Sequence, residues 1–157
     1  MVDLRPVAYV IGRILIVLAI LMLAPAIIDW RAGLENGMAF AASAGITGVV
    51  GGALTLATGN ALGRPLDTRQ AYLLTAGIWF LVPFFGALPF HIGAPGLTLQ
   101  NAYFEAVSGI TTTGATVIYG LDDLPIGMNL WRGMLNWLGG LGIAFIAMIF
   151  LPLMRIG

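Results

Sequence analysis

The sequence predicts an all-α integral membrane protein, and three observations predict it. The first is composition: 59% of the 157 residues are hydrophobic and 9% are charged, against about 45–50% and about 25% in an ordinary soluble domain. A surface that has to stay dissolved needs more charge than this. The second is the placement of the apolar residues, which fall into four long runs. The third is a shorter segment between the last two runs, half a membrane long and followed by a stretch of Thr and Gly. The same composition excludes other classes. Seven Arg and no Lys balance seven acids to a net charge of zero, so nucleic acid has no basic surface to meet. The lack of Cys removes disulfides, thiolate nucleophiles and Cys-based zinc sites, and a single His removes most His-rich metal clusters. No carboxylate pair and no Ser/His pair falls within the runs, so an enzyme is not expected, and no covalent cofactor is expected either.

A helix crossing the hydrocarbon core needs about 20 mostly apolar residues. The first run, residues 6–28, opens on Pro6 and is interrupted only by Arg13. Proline suits a helix start, where its missing N–H has no partner to lose. The run is longer than the about 7–15 apolar residues of a signal peptide, which makes it a retained span. The second run, 37–58, is rich in Gly45, Gly48, Gly51 and Gly52, and the spacing of Gly48 and Gly52 predicts a helix-packing face. The third run, 70–90, carries Pro83 in its second half. The fourth, 128–153, holds Gly139, Gly140 and Gly142, with Gly133 before them; small residues there predict close packing on a neighbouring helix. Orientation follows from Arg placement. Arg5, Arg13, Arg64, Arg69 and Arg155 mark one set of ends, and Arg31 and Arg132 the other, alongside Asp29, Glu35, Asp122 and Asp123. Five against two puts the first set, and both termini, in the cytoplasm. Trp30, Trp79, Tyr119 and Trp131 are candidates for the interfacial aromatic belt.

Residues 91–127 are too many for a tight turn between spans. Thr98 has a hydroxyl suited to capping a helix, residues 99–108 suit a helix, and Gly109 suits a helix end with positive φ. Ten residues at 1.5 Å each make about 15 Å, half a membrane. A half-length helix followed by Thr111, Thr112, Thr113, Gly114 and Ala115 describes a re-entrant pore loop over about residues 98–118, because bare backbone at membrane depth is tolerated only inside protein or beside a watery cavity. The helix end carries about −0.5 charge and favours a cation. Rings of backbone carbonyls replace the hydration shell of K⁺, and Gly114 permits a backbone that a Cβ forbids. Thr111–Ala115 is therefore the candidate selectivity filter, with the carbonyls of Thr112, Thr113 and Gly114 as K⁺ ligands.

At these residues the chain resembles the Trk/Ktr/HKT potassium transporters. The match rests on A-Y-F-E-A-V-S-G-I-T-T-T-G-A-T-V-I, residues 102–118, and on L-W-R-G-M-L-N-W-L-G-G-L-G-I, residues 130–143. The resemblance implies two N-terminal transmembrane helices (1–60), as in the TrkH-like branch, then one helix–re-entrant pore loop–helix unit of potassium-channel type (61–157). It implies K⁺ uptake as a membrane subunit in the bacterial inner membrane, with K⁺ as the transported ion and a cytosolic nucleotide-binding regulatory subunit as partner. Family members carry four such repeats around one pore, and one loop supplies a quarter of a filter. The expectation is an N-terminal portion of a longer protein, or several copies assembled in the lipid bilayer. The alternative is a non-conducting structural or assembly module related to the family.

Glu105 is the one carboxylate in the pore-loop helix, and an intramembrane acid is a functional candidate by default. The family match implies that it props the loop through hydrogen bonds. Arg132, near the outer face, is its candidate partner, the alternative being that it snorkels beside Trp131; the two are expected as filter support. Asp122 and Asp123 read as an ordinary solvated loop, His91 as a satisfied interface residue and Asn136 as polar packing between helices.

Overall fold

In the computed structural model every regular element is a helix among the described residues, which are 3–63 and 65–153, with side chains through residue 144. Six helices follow in order: α1 (Arg5–Arg31), α2 (Asn36–Ala57), α3 (Thr68–Gly86), α4 (Leu88–Ile92), α5 (Leu99–Ile110) and α6 (Ile126–Leu153). Among the described residues three stretches are long and apolar enough to cross a membrane: Arg5–Arg31, Asn36–Ala57 and Thr68–Ile92, the last joining α3 and α4 across Ala87. The fourth expected span is the 28-residue α6, about 42 Å long at 1.5 Å per residue. Arg64 and Arg155, two residues behind the topology expectation, lie outside the described residues.

The N-terminal hairpin closes backbone against backbone. A Cβ at Gly12 would lie 2.8 Å from the carbonyl oxygen of Gly51, and a Cβ at Gly51 would lie 2.8 Å from that of Gly12. This pair sets the α1–α2 approach, and the expected pair does not. A Cβ at Gly48 would make an ordinary 3.6 Å contact with Ala19, and one at Gly52 would meet nothing within 4 Å. Spacing along one helix identified small residues but not which of them face the partner. Below this approach, Leu15, Leu18, Met22 and Ala26 form the buried stripe of α1, at the three- and four-residue spacing of one helix face.

Helix α3 starts before the apolar run that announces it. The Asp67 carboxylate accepts from Gln70 N (2.7 Å), and the Gln70 side-chain oxygen accepts from Asp67 N (2.9 Å), a reciprocal capping box. Gln70 Nε2 also donates to the Asp3 carbonyl at 2.7 Å, tying α3 to the chain start. Helix α5 begins at the expected cap, with Asn101 N donating to Thr98 Oγ1 at 3.4 Å. It runs on to Ile110, past the expected end. Gly109 therefore lies inside the helix and not at a left-handed cap. Its reason is packing: a Cβ there would lie 2.9 Å from the Cβ of Leu135 in α6.

The core gathers where α6 meets the other helices. Trp131, Phe40, Phe90, Met22 and Leu135 are fully or almost fully buried. Trp131 is a correction to the aromatic-belt expectation: its indole N–H donates to the Gly86 carbonyl at 2.9 Å, and its ring stands edge-on to Phe40 with centroids 6.2 Å apart. A large apolar ring with one polar edge finds both needs met inside the bundle. Further along α6, the backbone at Gly139 passes so close to the tip of α5 that a Cβ would overlap the Ile110 carbonyl. Gly139 lies thirteen residues after the start of α6, about 20 Å along its axis. An apolar cavity of 480 Å³ is lined at this level by Leu18 of α1, Ile78 of α3, Ile110 and Gly139. The tip of α5 thus lies beside the middle of the long helices.

Candidate functional site

The chain turns sharply where α5 ends. Thr111 N donates to the Val107 carbonyl (2.8 Å), Thr112 N to Gly109 (2.9 Å) and Thr113 N to Ser108 (3.0 Å), so the last carbonyls of the helix are answered by the turn itself. Two residues in the turn have left-handed backbone: Thr112 at φ 55° and Gly114 at φ 75°. The second is the glycine whose freedom the sequence marks out. The first is a β-branched residue, for which positive φ is a true outlier, and held strain of this kind concentrates at functional sites. The Thr111 and Thr113 hydroxyls lie 2.8 Å apart and bond to each other.

Beyond the turn the chain runs back alongside α5. Ser108 Oγ donates to the Ala115 carbonyl at 2.6 Å. Glu105, one turn earlier on the helix, takes two bonds on Oε1: from the Thr116 hydroxyl at 2.5 Å and from Val117 N at 2.6 Å. Its other oxygen faces Arg132 Nε at 3.5 Å. Glu105 is only 4% exposed, and the Arg132 guanidinium and two hydrogen-bond donors around it offset the cost of burying a carboxylate. Asn136 is on the exposed side and donates to the Arg132 carbonyl one turn back on its own helix. His91 Nδ1 lies 2.8 Å from the Leu97 carbonyl, and Asp122 and Asp123 are exposed in a single 3₁₀ turn.

The sequence-predicted residues therefore meet as follows. Glu105 and Arg132 come together, and Glu105 reaches the segment that leaves the turn. Thr111, Thr112, Thr113 and Gly114 form the turn and are exposed. Among the described residues no hydrogen bond ends on their four carbonyls. Ala115 stands apart, because its carbonyl is held by Ser108. No group of three or more His, Cys, Asp or Glu is arranged to hold a metal ion among the described residues.

One residue of importance escaped the sequence reading. The sequence places Asp29 among the charges at one set of span ends, yet it is fully buried. Its Oδ1 accepts from Gly127 N and its Oδ2 from Asn36 Nδ2, both at 2.7 Å. An acid one residue before a Trp and two before an Arg reads as a membrane-edge charge, and the amide that it meets lies 98 residues further along the chain. No local signal announces that contact.

Long apolar helices, with a short helix ending beside their middle in an exposed turn of unshared carbonyls, define a helical membrane protein. Comparison with known proteins gives this class a family. Residues 36–157 match the TrkH family, described as cation transport protein. The Trk system potassium uptake protein TrkI of Halomonas elongata is 37% identical over 154 residues, covering 97% of this chain and 31% of the relative. The corresponding TrkH of Escherichia coli K12 is 34% identical over 156 residues, 98% of this chain and 32% of the relative. The crystal structure of the potassium transporter TrkH from Vibrio parahaemolyticus matches with a TM-score of 0.90 at 32% identity, over 99% of this chain and 33% of that one. The chain belongs to the TrkH family of cation transport proteins, which are transporters and not enzymes. It spans about a third of the length of these relatives.

Proposed function

We propose that this chain takes part in K⁺ uptake by contributing one wall of a carbonyl-lined pore. Residues 61–157 form a helix–re-entrant pore loop–helix unit, and residues 1–60 a helix pair packed against it. The loop, about residues 98–118, enters from the outer face and turns back at mid-depth. The carbonyls of Thr112, Thr113 and Gly114 are the K⁺ ligands, flanked by Thr111 and Ala115, and Glu105 with Arg132 braces the returning strand. Both termini lie in the cytoplasm, and the membrane is the bacterial inner membrane.

The observation that carries the reading is the turn at 111–114. In an extended strand successive carbonyls point to opposite sides. Positive φ at alternate residues, Thr112 and Gly114, breaks that alternation and allows neighbouring oxygens to share a side. Those oxygens have no hydrogen-bond partner among the described residues, and the turn is exposed beside the midpoint of α6. Uncovered backbone at membrane depth costs several kcal/mol per group unless it faces protein or water. A row of oxygens around a hydrated path answers that cost and replaces the shell of a K⁺ ion. One turn covers one side of an ion, so three more turns are required, from further repeats or further copies. The family resemblance adds a cytosolic nucleotide-binding regulatory subunit as the partner on the inner side.

The test is rubidium and sodium uptake in cells lacking their own K⁺ uptake, with residues 1–157 in the setting of the complete transporter. Gly114→Ser is the informative change. A Cβ there meets nothing within 4 Å in this chain, so the fold is retained, while the left-handed backbone is strained by about 1–2 kcal/mol. The rubidium-to-sodium ratio is expected to fall about tenfold, the equivalent of about 1.4 kcal/mol, with protein still in the membrane. Thr113→Val keeps the carbonyl and is expected to be milder. An unchanged ratio and rate for Gly114→Ser would reduce the segment to a plain turn.

A further inference from the structure

Asp29, Asn36, Ala94 and Gly127 form one hydrogen-bonded chain at the end of the bundle away from the N-terminus. Gly127 N donates to Asp29 Oδ1 (2.7 Å), Asn36 Nδ2 donates to Asp29 Oδ2 (2.7 Å) and Ala94 N donates to Asn36 Oδ1 (2.8 Å). The two backbone donors that end this chain bracket α5 and its turn, Ala94 before and Gly127 after. Both anchor points are built for close approach. A Cβ at Gly127 would lie 2.6 Å from Asp29 Oδ2 and 2.7 Å from the Pro25 carbonyl, and one at Gly93 would lie 2.9 Å from both the Ala39 Cβ and the Pro89 carbonyl. The α1–α2 hairpin therefore holds the two ends of the intervening segment at fixed positions.

The chemistry of this chain admits only certain pairs of residues. Each end is a backbone N–H, so the bridge between them has to present an oxygen at both ends. In the middle it needs one donor facing one acceptor. One carboxylate with one amide satisfies this. Two amides leave N–H facing N–H, and two carboxylates leave two negative oxygens face to face in a buried site. The pair also works in reverse: with the carboxylate at 36 and the amide at 29, every bond is retained and only the middle one changes direction.

We propose that Asp29 and Asn36 are positioning residues for ion selection, a polar clamp that fixes both ends of the pore segment and through them the placement of the 111–114 turn. The inference rests on the reading of that turn as a filter. Neither residue meets the ion. Their effect passes through the backbone that they hold, by the loop between Ala94 and α5 on one side and the start of α6 on the other.

The experiment compares Asp29→Asn, Asn36→Asp and the exchanged pair D29N/N36D in the complete transporter, reading the rubidium-to-sodium uptake ratio per molecule in the membrane. Each single change is expected to lower the ratio by about fivefold or more, the size of effect seen when a coupling network is broken. The exchanged pair is expected to return to within about twofold of the unsubstituted protein. Single variants with an unchanged ratio would overturn the clamp, and so would an exchanged pair no better than the worse single. Should the singles fail to reach the membrane, the pair decides: recovery of protein and ratio together supports the clamp, and recovery of protein alone, or of neither, overturns it. If the unsubstituted transporter shows no rubidium uptake, the filter reading itself has failed, and the clamp falls with it for that distinct reason.

Discussion

A Cβ at Gly139 would overlap the Ile110 carbonyl, whereas one at the next residue, Gly140, would meet nothing within 4 Å. Substitution separates the two. Gly139→Ala forces α6 away from the tip of α5 and is expected to destabilise the protein by about 1–3 kcal/mol, the usual cost of overpacking. Gly140→Ala is expected to be neutral or slightly stabilising, since alanine is the better helix former. Thermal unfolding of the purified protein in detergent checks both, and equal midpoints for the two variants would contradict the close contact. The glycines also show what single residues reveal in a sequence. Gly114 was legible because a glycine after a run of Thr has few purposes other than backbone freedom, and its φ is positive. Gly109 was misread because a glycine near a helix end looks the same whether it caps the helix or makes room for Leu135. Only the partner helix distinguishes the two, and Leu135 is 26 residues away in the chain. The strained residue of the turn proved to be Thr112 as well as Gly114, which no propensity scale would have selected.

At the scale of the element, α5 and the segment leaving its turn behave as one unit because Glu105 and Ser108 stitch them together. Glu105→Gln keeps an oxygen to accept from Val117 N and Thr116, and loses the ion pair with Arg132. Glu105→Ala leaves the amide of Val117 without an acceptor, and an unsatisfied buried donor costs about 1–3 kcal/mol. The alanine variant is therefore expected to lose more stability than the glutamine variant. Thermal midpoints in detergent are the measurement, and the reverse order would remove the strut. The long helices were legible from the apolar runs alone, since length and hydrophobicity are local properties. Their exact starts were less so: α3 begins at Thr68 because Asp67 and Gln70 cap it, and polar capping residues lie outside an apolar run by nature. The half-length of α5 and its Thr98 cap were readable for the same local reasons. The contacts that place it were not, because they join residues distant in sequence.

At the scale of the whole molecule, α1 is central and not peripheral. It packs against α2, α3 and α6, so the N-terminal pair and the rest of the chain share one core. Mutual packing explains why a composition count identified a membrane protein but could not say which faces meet lipid. The orientation inferred from Arg placement yields a direct expectation. The chain has no Cys, and Leu34 and Leu66 lie in connecting segments at opposite ends of the bundle, partly exposed. In intact cells Leu34→Cys is expected to react with a membrane-impermeant thiol reagent, and Leu66→Cys only after the cells are opened. Labelling of Leu66→Cys from outside would invert the topology and place the entry to the turn on the cytoplasmic face.

The burial of Trp131 at the junction of α6 with α2 and α3 has an optical consequence. Trp30 and Trp137 are largely exposed on the bundle surface, while the Trp131 indole is enclosed, with its N–H on Gly86 and its ring against Phe40. A chain in which Trp30, Trp79 and Trp137 are replaced by Phe retains a single fluorophore at the crossing of three helices. Its emission maximum and its accessibility to an aqueous quencher would report, in the intact bilayer, whether those three helices stay locked together.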